Sequence, residues 1–130
     1  MSKYLTFPDV VFKNLQQLIA ALAELGYTRV EQGANLALNG WGNQRQTADV
    51  IIRKKDIKAT YGDVGFRKTP DGYVPVIDDL DASHIHGGKF IPALKTAVGK
   101  RTVQNLATSL HGTTRHRVEG KKIIYTISYN

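Results

Sequence analysis

Thr69-Pro70-Asp71-Gly72 stands between two β-prone apolar runs, Val64–Lys68 and Tyr73–Ile77, and no other feature constrains the fold as tightly. Proline presets φ for the second residue of a turn, Asp bonds its own backbone, and Gly supplies a positive φ. The two runs are therefore expected to pair as an antiparallel hairpin. A chain with such a hairpin must build a sheet and bury at least one face of it. Pro75 removes a ladder donor and argues for an edge position for the second strand.

The flanking segments extend that sheet. Residues 2–12 read as a short strand broken by Pro8, and Ala48–Arg53 as a strand with Val50 and Ile52 pointing one way. Tyr27–Glu31 and Ala34–Leu38 read as two further short strands, followed by the turn-rich Asn39-Gly40-Trp41-Gly42-Asn43. Residues 113–119 and 121–129 form a terminal hairpin around Glu119-Gly120. Asn14 can cap a helix in which Leu15, Leu18, Ile19, Leu22 and Leu25 share one stripe, and Gly26 ends it. A second helix is expected over Lys89–Val98, with Pro92 tolerated in its first turn and Gly99 interrupting it. A third is expected over Thr102–Leu110. The resulting order, β-α-β-β-β-β-α-α-β-β, predicts a single α+β domain over residues 1–130. Its antiparallel sheet would carry about three helices on one face.

The chain has 130 residues, a length that suits one domain with its own core. With no cysteine, disulfide frameworks, Cys-ligated zinc, iron–sulfur clusters and thiol nucleophiles are excluded. The net charge is +7. Residues 1–81 balance their charges. Residues 82–130 set Lys89, Lys95, Lys100, Arg101, Arg115, Arg117, Lys121 and Lys122 against Glu119 alone. The basic excess thus belongs to the C-terminal section, and it suggests an anionic partner. No apolar run approaches the roughly 20 residues of a membrane span, and the first residues lack a signal-peptide pattern. A cytoplasmic protein with no membrane partner is expected.

Gly40-Trp41-Gly42, Ala48-Asp49-Val50-Ile51-Ile52, Tyr61-Gly62-Asp63-Val64-Gly65-Phe66, Asp71-Gly72-Tyr73 and Val76-Ile77-Asp78 follow one another in an order and spacing that resembles the domain of unknown function 1257 family. That family includes a conserved chloroplast-genome reading frame found also in cyanobacteria. Ser2-Lys3-Tyr4, the Leu15-to-Gly26 helix and the terminal hairpin also resemble its members. The sequence departs from the pattern at Lys3, where His is usual. It departs again over Asp81-Ala82-Ser83-His84-Ile85-His86, where an aromatic-rich segment is common. The resemblance implies a small α+β domain and an accessory or adaptor role, with an AAA+ ATPase as one candidate partner. It implies no activity.

Three constellations bear on function. Asp78, Asp79, His84 and His86 combine carboxylates with a His-x-His pair, donors that suit zinc or manganese. The competing reading is a solvated loop whose Asp residues cap the following helix. Arg115, Arg117, Lys121 and Lys122 surround the terminal hairpin and would meet phosphates or an acidic protein surface. Trp41, between two glycines, is either an interface anchor or a lid on the core. Asp49 and Asp63 read as turn or strand-edge residues. No Walker loop, dinucleotide fingerprint or Gly-x-Ser-x-Gly is present, so no cofactor is expected. Binding is favoured over catalysis, with Trp41, Arg115, Arg117, Lys121 and Lys122 as contacts for a protein partner or a like subunit. The alternatives are a nucleic-acid module using the basic hairpin and a metal-dependent enzyme using the Asp/His loop.

Overall fold

The computed structural model describes the backbone of residues 3–42, 45–103, 112–119 and 122–129, and side chains through residue 100. Seven strands form one antiparallel sheet: β1 (Tyr4–Thr6), β2 (Arg29–Asn39), β3 (Arg45–Ile52), β4 (Val64–Thr69), β5 (Gly72–Asp78), β6 (Gly112–Glu119) and β7 (Lys122–Tyr129). Their spatial order is β1-β5-β4-β3-β2-β7-β6. Between them lie α1 (Leu15–Glu24), α2 (Lys54–Ile57), α3 (Asp79–Ala82), a 3-10 turn (Ile85–Gly88) and α4 (Phe90–Val103). The expected α+β class with an antiparallel sheet is what forms.

Asn14 starts α1 from an extended conformation, and its side-chain oxygen accepts the Gln17 N–H at 3.0 Å. At the other end Tyr27 N bonds Leu22 O and Gly26 N bonds Ala23 O, with Gly26 at φ +101°. This paired closure needs the left-handed residue that glycine supplies. Leu18 and Leu22 of α1, and Phe90 and Leu94 of α4, are fully buried against Val50, Ile52, Val64, Phe66 and Ile77 of the sheet. Pro92 sits in the first turn of α4, as expected. Gly99 does not interrupt the helix, which continues to Val103. The helix expected over 102–110 lies outside the described residues from 104 onward.

Two further expectations change. The strands expected at 27–31 and 34–38 are one strand, β2, with an irregularity between Gln32 and Leu36 and Asn35 at φ +51°. Asp49, opposite this bulge, accepts the Asn35 N–H at 3.2 Å and the Lys68 N–H at 2.7 Å. Its carboxylate thus reaches both neighbouring strands, and the alternation of β3 breaks there: Val50 and Ile52 join the helix-side core, whereas Ala48 joins Ile51 on the other side. Pro75 is not on an edge strand, because β1 covers the end of β5, with Thr6 opposite Val76. The chain bonds β5 again at Phe12 and Tyr73, having turned away over Pro8–Val11. Pro75 lies opposite the point of departure, so its missing N–H breaks no ladder.

The face away from the helices is concave. Tyr4, Leu36, Leu38, Ala48, Ile51 and Val76 pack there as a second, smaller core. Gly65 makes the approach possible: a Cβ at that position would fall 2.6 Å from Ala48 Cβ and 2.9 Å from Leu38 Cδ2. Gly65→Ala is therefore expected to cost about 1–3 kcal/mol through overpacking. Ala48→Gly in the same chain removes the nearer methyl, so the double variant should lose less than the two single losses added together. Urea unfolding of all four proteins checks this, and strict additivity would contradict the packing described.

Candidate functional site

Tyr4 belongs to the first strand of the sheet order and Asn39 to the fifth, yet their groups meet across the concave face. The Tyr4 hydroxyl donates to Asp63 O at 2.8 Å and lies 3.2 Å from Asn39 O. Asp63 N also donates to Asn39 O at 2.9 Å. The Tyr4 ring leaves no room at Gly40, where a Cβ would fall 2.3 Å from its Cε2. At Gly62 a Cβ would meet the Tyr4 hydroxyl at 2.5 Å and Gly40 Cα at 2.9 Å. The glycines in the Gly40-Trp41-Gly42 and Tyr61-Gly62-Asp63 motifs thus let the sheet curl shut.

Arg53 ties this closure to the middle of the sheet. Its guanidinium grips Glu31 with two bonds, Nε–Oε2 at 2.7 Å and Nη2–Oε1 at 2.9 Å. Nη1 donates to Asp63 Oδ2 at 2.9 Å and to Ala37 O at 3.0 Å. Asp63 is completed by the Asn39 N–H at 2.9 Å and the Lys54 N–H at 2.7 Å. Glu31 and Asp63 are 8% and 3% exposed, so their charges are stable only because the planar fork of Arg53 and these amides satisfy them. The hydrogen bond to Glu31, then that to Asp63, holds the Arg53 pKa above its ordinary value against the effect of burial.

The acidic run of residues 78–81 bonds mainly to the backbone, while the buried Asp78 Oδ2 has no hydrogen-bond partner. Asp78, fully buried, caps α3 by accepting from Leu80 N at 2.9 Å and Asp81 N at 3.3 Å. Asp79 accepts the Lys3 N–H at 3.0 Å. Asp81 gathers the N–H groups of Thr60, Tyr61 and Gly62 at 2.8–3.1 Å, fixing the loop that carries Tyr61. His84 and His86 are exposed, and His86 Nδ1 lies 3.5 Å from the Tyr27 hydroxyl. The structure does not bring Asp78, Asp79, His84 and His86 together as a ligand set, and among the described residues no three His, Asp or Glu side chains could hold a metal ion.

Beside the closure lies an open concavity of about 600 Å³ lined by Asn39, Gly40, Arg53, Lys54, Lys55, Lys58, Ala59, Tyr61 and Asp63. Arg53 is occupied by its carboxylates, whereas Lys54, Lys55 and Lys58 are exposed. Lys58 ends α2 at φ +58°, a left-handed cap. Trp41, 52% exposed, stands edge-on to Tyr61 with ring centres 6.2 Å apart. It is therefore not a buried lid. Arg115 and Arg117 lie two apart on β6, opposite Thr126 and Ile124, and Lys122 opens β7 opposite Glu119. Lys121 lies outside the described residues. The lysine concavity was missed by sequence reading. Its signal was the Arg53-Lys54-Lys55-Asp56-Ile57-Lys58 run, which the overall balance of charge concealed.

Arg53→Met should cost about 3 kcal/mol by leaving two buried carboxylates without their counter-charge, and Arg53→Lys should recover only part, since an ammonium cannot fork. Chemical unfolding checks both. Burial, then the nearby Asp63, Asp78 and Asp81 carboxylates, raises the Tyr4 pKa above its ordinary 10.0. The unfolded chain loses that proton near pH 10 while the folded chain keeps it. The hydroxyl's contribution is therefore complete below about pH 10 and declines as pH rises further. Tyr4→Phe should lower stability by about 1–2 kcal/mol at neutral pH and flatten the alkaline fall of the urea midpoint between about pH 9 and 11.

No curated protein and no solved structure matches the chain. A family described as "Protein of unknown function (DUF1257)" matches residues 21–119. The match includes Gly40, Arg53, Gly62, Asp63, Asp81 and the whole lysine concavity, whereas Tyr4 and β7 lie outside it. Covering well over half of the sequence, it shows that the chain belongs to the DUF1257 family of proteins of unknown function.

Proposed function

We propose that the protein is a non-catalytic accessory protein that works by docking on another protein, with Trp41 as its anchor. One observation carries this reading: the large indole is 52% exposed, yet seated edge-on against Tyr61. Tyr61 is in turn fixed by the bonds from Asp81 to its loop. An exposed aromatic on a rigid base fits an interface hot spot, where a large side chain enters a partner's pocket at low entropic cost. The carboxylates that would draw attention as catalytic groups support the same reading. Asp63 and Asp81 are committed to backbone amides and, for Asp63, to Arg53, while Asp78 caps α3 through Oδ1 alone.

The basic terminal hairpin is a second contact in this proposal, through Arg115, Arg117, Lys121 and Lys122. The family resemblance adds an AAA+ ATPase as a candidate partner. A like subunit is the other protein candidate. Affinity purification of the tagged protein from its native cell, with protein and nucleic acid read out together, tests the reading. Wild type should retain a protein at near-stoichiometric yield, and Trp41→Ala should lose most of it with an unchanged circular dichroism spectrum. Retention of nucleic acid in its place, or an undiminished partner on Trp41→Ala, would remove the proposal.

A further inference from the structure

We infer that the concavity bounded by Lys54, Lys55, Lys58 and Tyr61 receives an acidic peptide segment of a protein partner, with an apolar side chain of that segment set against Trp41. The inference rests on the docking reading and gives the partner a chemistry. Residues 51–81 contain as many acidic as basic side chains, but the two kinds are not placed alike. Asp63, Asp78 and Asp81 are 3% exposed or less, and each accepts internal hydrogen bonds, although Asp78 Oδ2 has no partner. Lys54, Lys55 and Lys58 are exposed at the mouth of one concavity. Folding thus buries three of the six carboxylates and gathers three exposed cations at one mouth, with the half-buried Asp56 between Lys55 and Lys58 and the exposed Asp71 at the distant β4–β5 turn.

The bonding pattern favours carboxylates on a chain over phosphate. Lysines meet phosphate as point charges, but the groups that fix a phosphate's geometry are converging backbone amides or an Arg fork. The converging amides here, Thr60 to Gly62, are filled by Asp81. The Arg53 fork is filled by Glu31 and Asp63. What remains for a visitor is three lysines, whose apolar stems pack while their ammonium groups stay wet. Beside them stand Ala59, Tyr61 and, on Tyr61, the indole of Trp41. A volume of about 600 Å³ falls within the roughly 300–1,000 Å³ of ligand clefts. Such a surface of mixed cationic and apolar character suits a segment in which acidic residues flank an apolar one.

Trp41 is the chain's one tryptophan, so its emission reports on this site alone. The full chain is titrated with four probes: a peptide with one Leu among Glu residues, an all-Glu peptide of equal length, ATP, and single-stranded oligothymidine. The Leu-containing peptide should shift the emission, more weakly as salt rises, and the all-Glu peptide should bind less well. ATP and oligothymidine should leave the emission unmoved. Replacing Lys54, Lys55 and Lys58 together by Glu should weaken peptide binding at least about tenfold, and Gln in the same places should weaken it less. Circular dichroism establishes that both variants are folded. No response to either peptide, a comparable response to ATP or oligothymidine, or unchanged binding by the Glu variant overturns the inference. If Trp41→Ala loses the native partner but the three-lysine variants retain it, docking stands and the acidic segment falls. If the peptides bind and Trp41→Ala keeps its partner, docking through Trp41 falls.

Discussion

The guanidinium of Arg53 holds the concave side of this protein together. It joins Glu31 of β2 to Asp63, which precedes β4, and Asp63 in turn binds the first amide of α2 and the last residue of β2. Without that positive charge two nearly buried carboxylates would face one another's strands uncompensated. Tyr4 completes the arrangement from the far edge of the sheet, bonding the backbone at Asp63. The curl of the sheet is therefore a polar closure laid over a small apolar core of Leu38, Ala48, Ile51 and Val76. Glycines at 40, 62 and 65 admit the necessary backbone approach.

The parts of the fold that depend on near neighbours were legible in the sequence. The Thr69–Gly72 hairpin, the capped helix from Leu15 and the terminal hairpin each follow from residues within about ten positions of one another. The closure was not legible, because it joins residues 4, 31, 39, 53 and 63, whose proximity only the strand order creates. The same glycines that punctuate turns in the sequence act in the fold as gaps for the Tyr4 ring and for Leu38. Pro75 misled for a related reason: the residue does need a missing partner strand, but a local departure of the chain after β1 supplies the gap within a covered strand.

The candidate site was half legible. Trp41 stood out by its chemistry and is exposed on the fold. The Asp/His loop stood out equally, but its carboxylates belong to a helix cap and to the loop at 60–62. Charge counting by sequence section put the basic face in the C-terminal tail and treated the centre as neutral. A count along the sequence says nothing of placement: Lys54, Lys55 and Lys58 gather at one mouth, whereas Asp63, Asp78 and Asp81 are buried.

The closure and the concavity share residues, which bears on how well the site is preorganised. Asp63 binds Arg53 on one side and the Lys54 amide on the other, so the turn that displays Lys54, Lys55 and Lys58 starts from a fixed point. Asp81 fixes Tyr61, on which Trp41 rests. Both walls of the concavity are thus anchored by buried carboxylates, while the lysine side chains remain free to adjust. Rigid walls lower the ordering cost of binding, and mobile cations tolerate variation in where a partner's acidic groups fall. That combination suits recognition of an extended segment by its charge and one apolar residue.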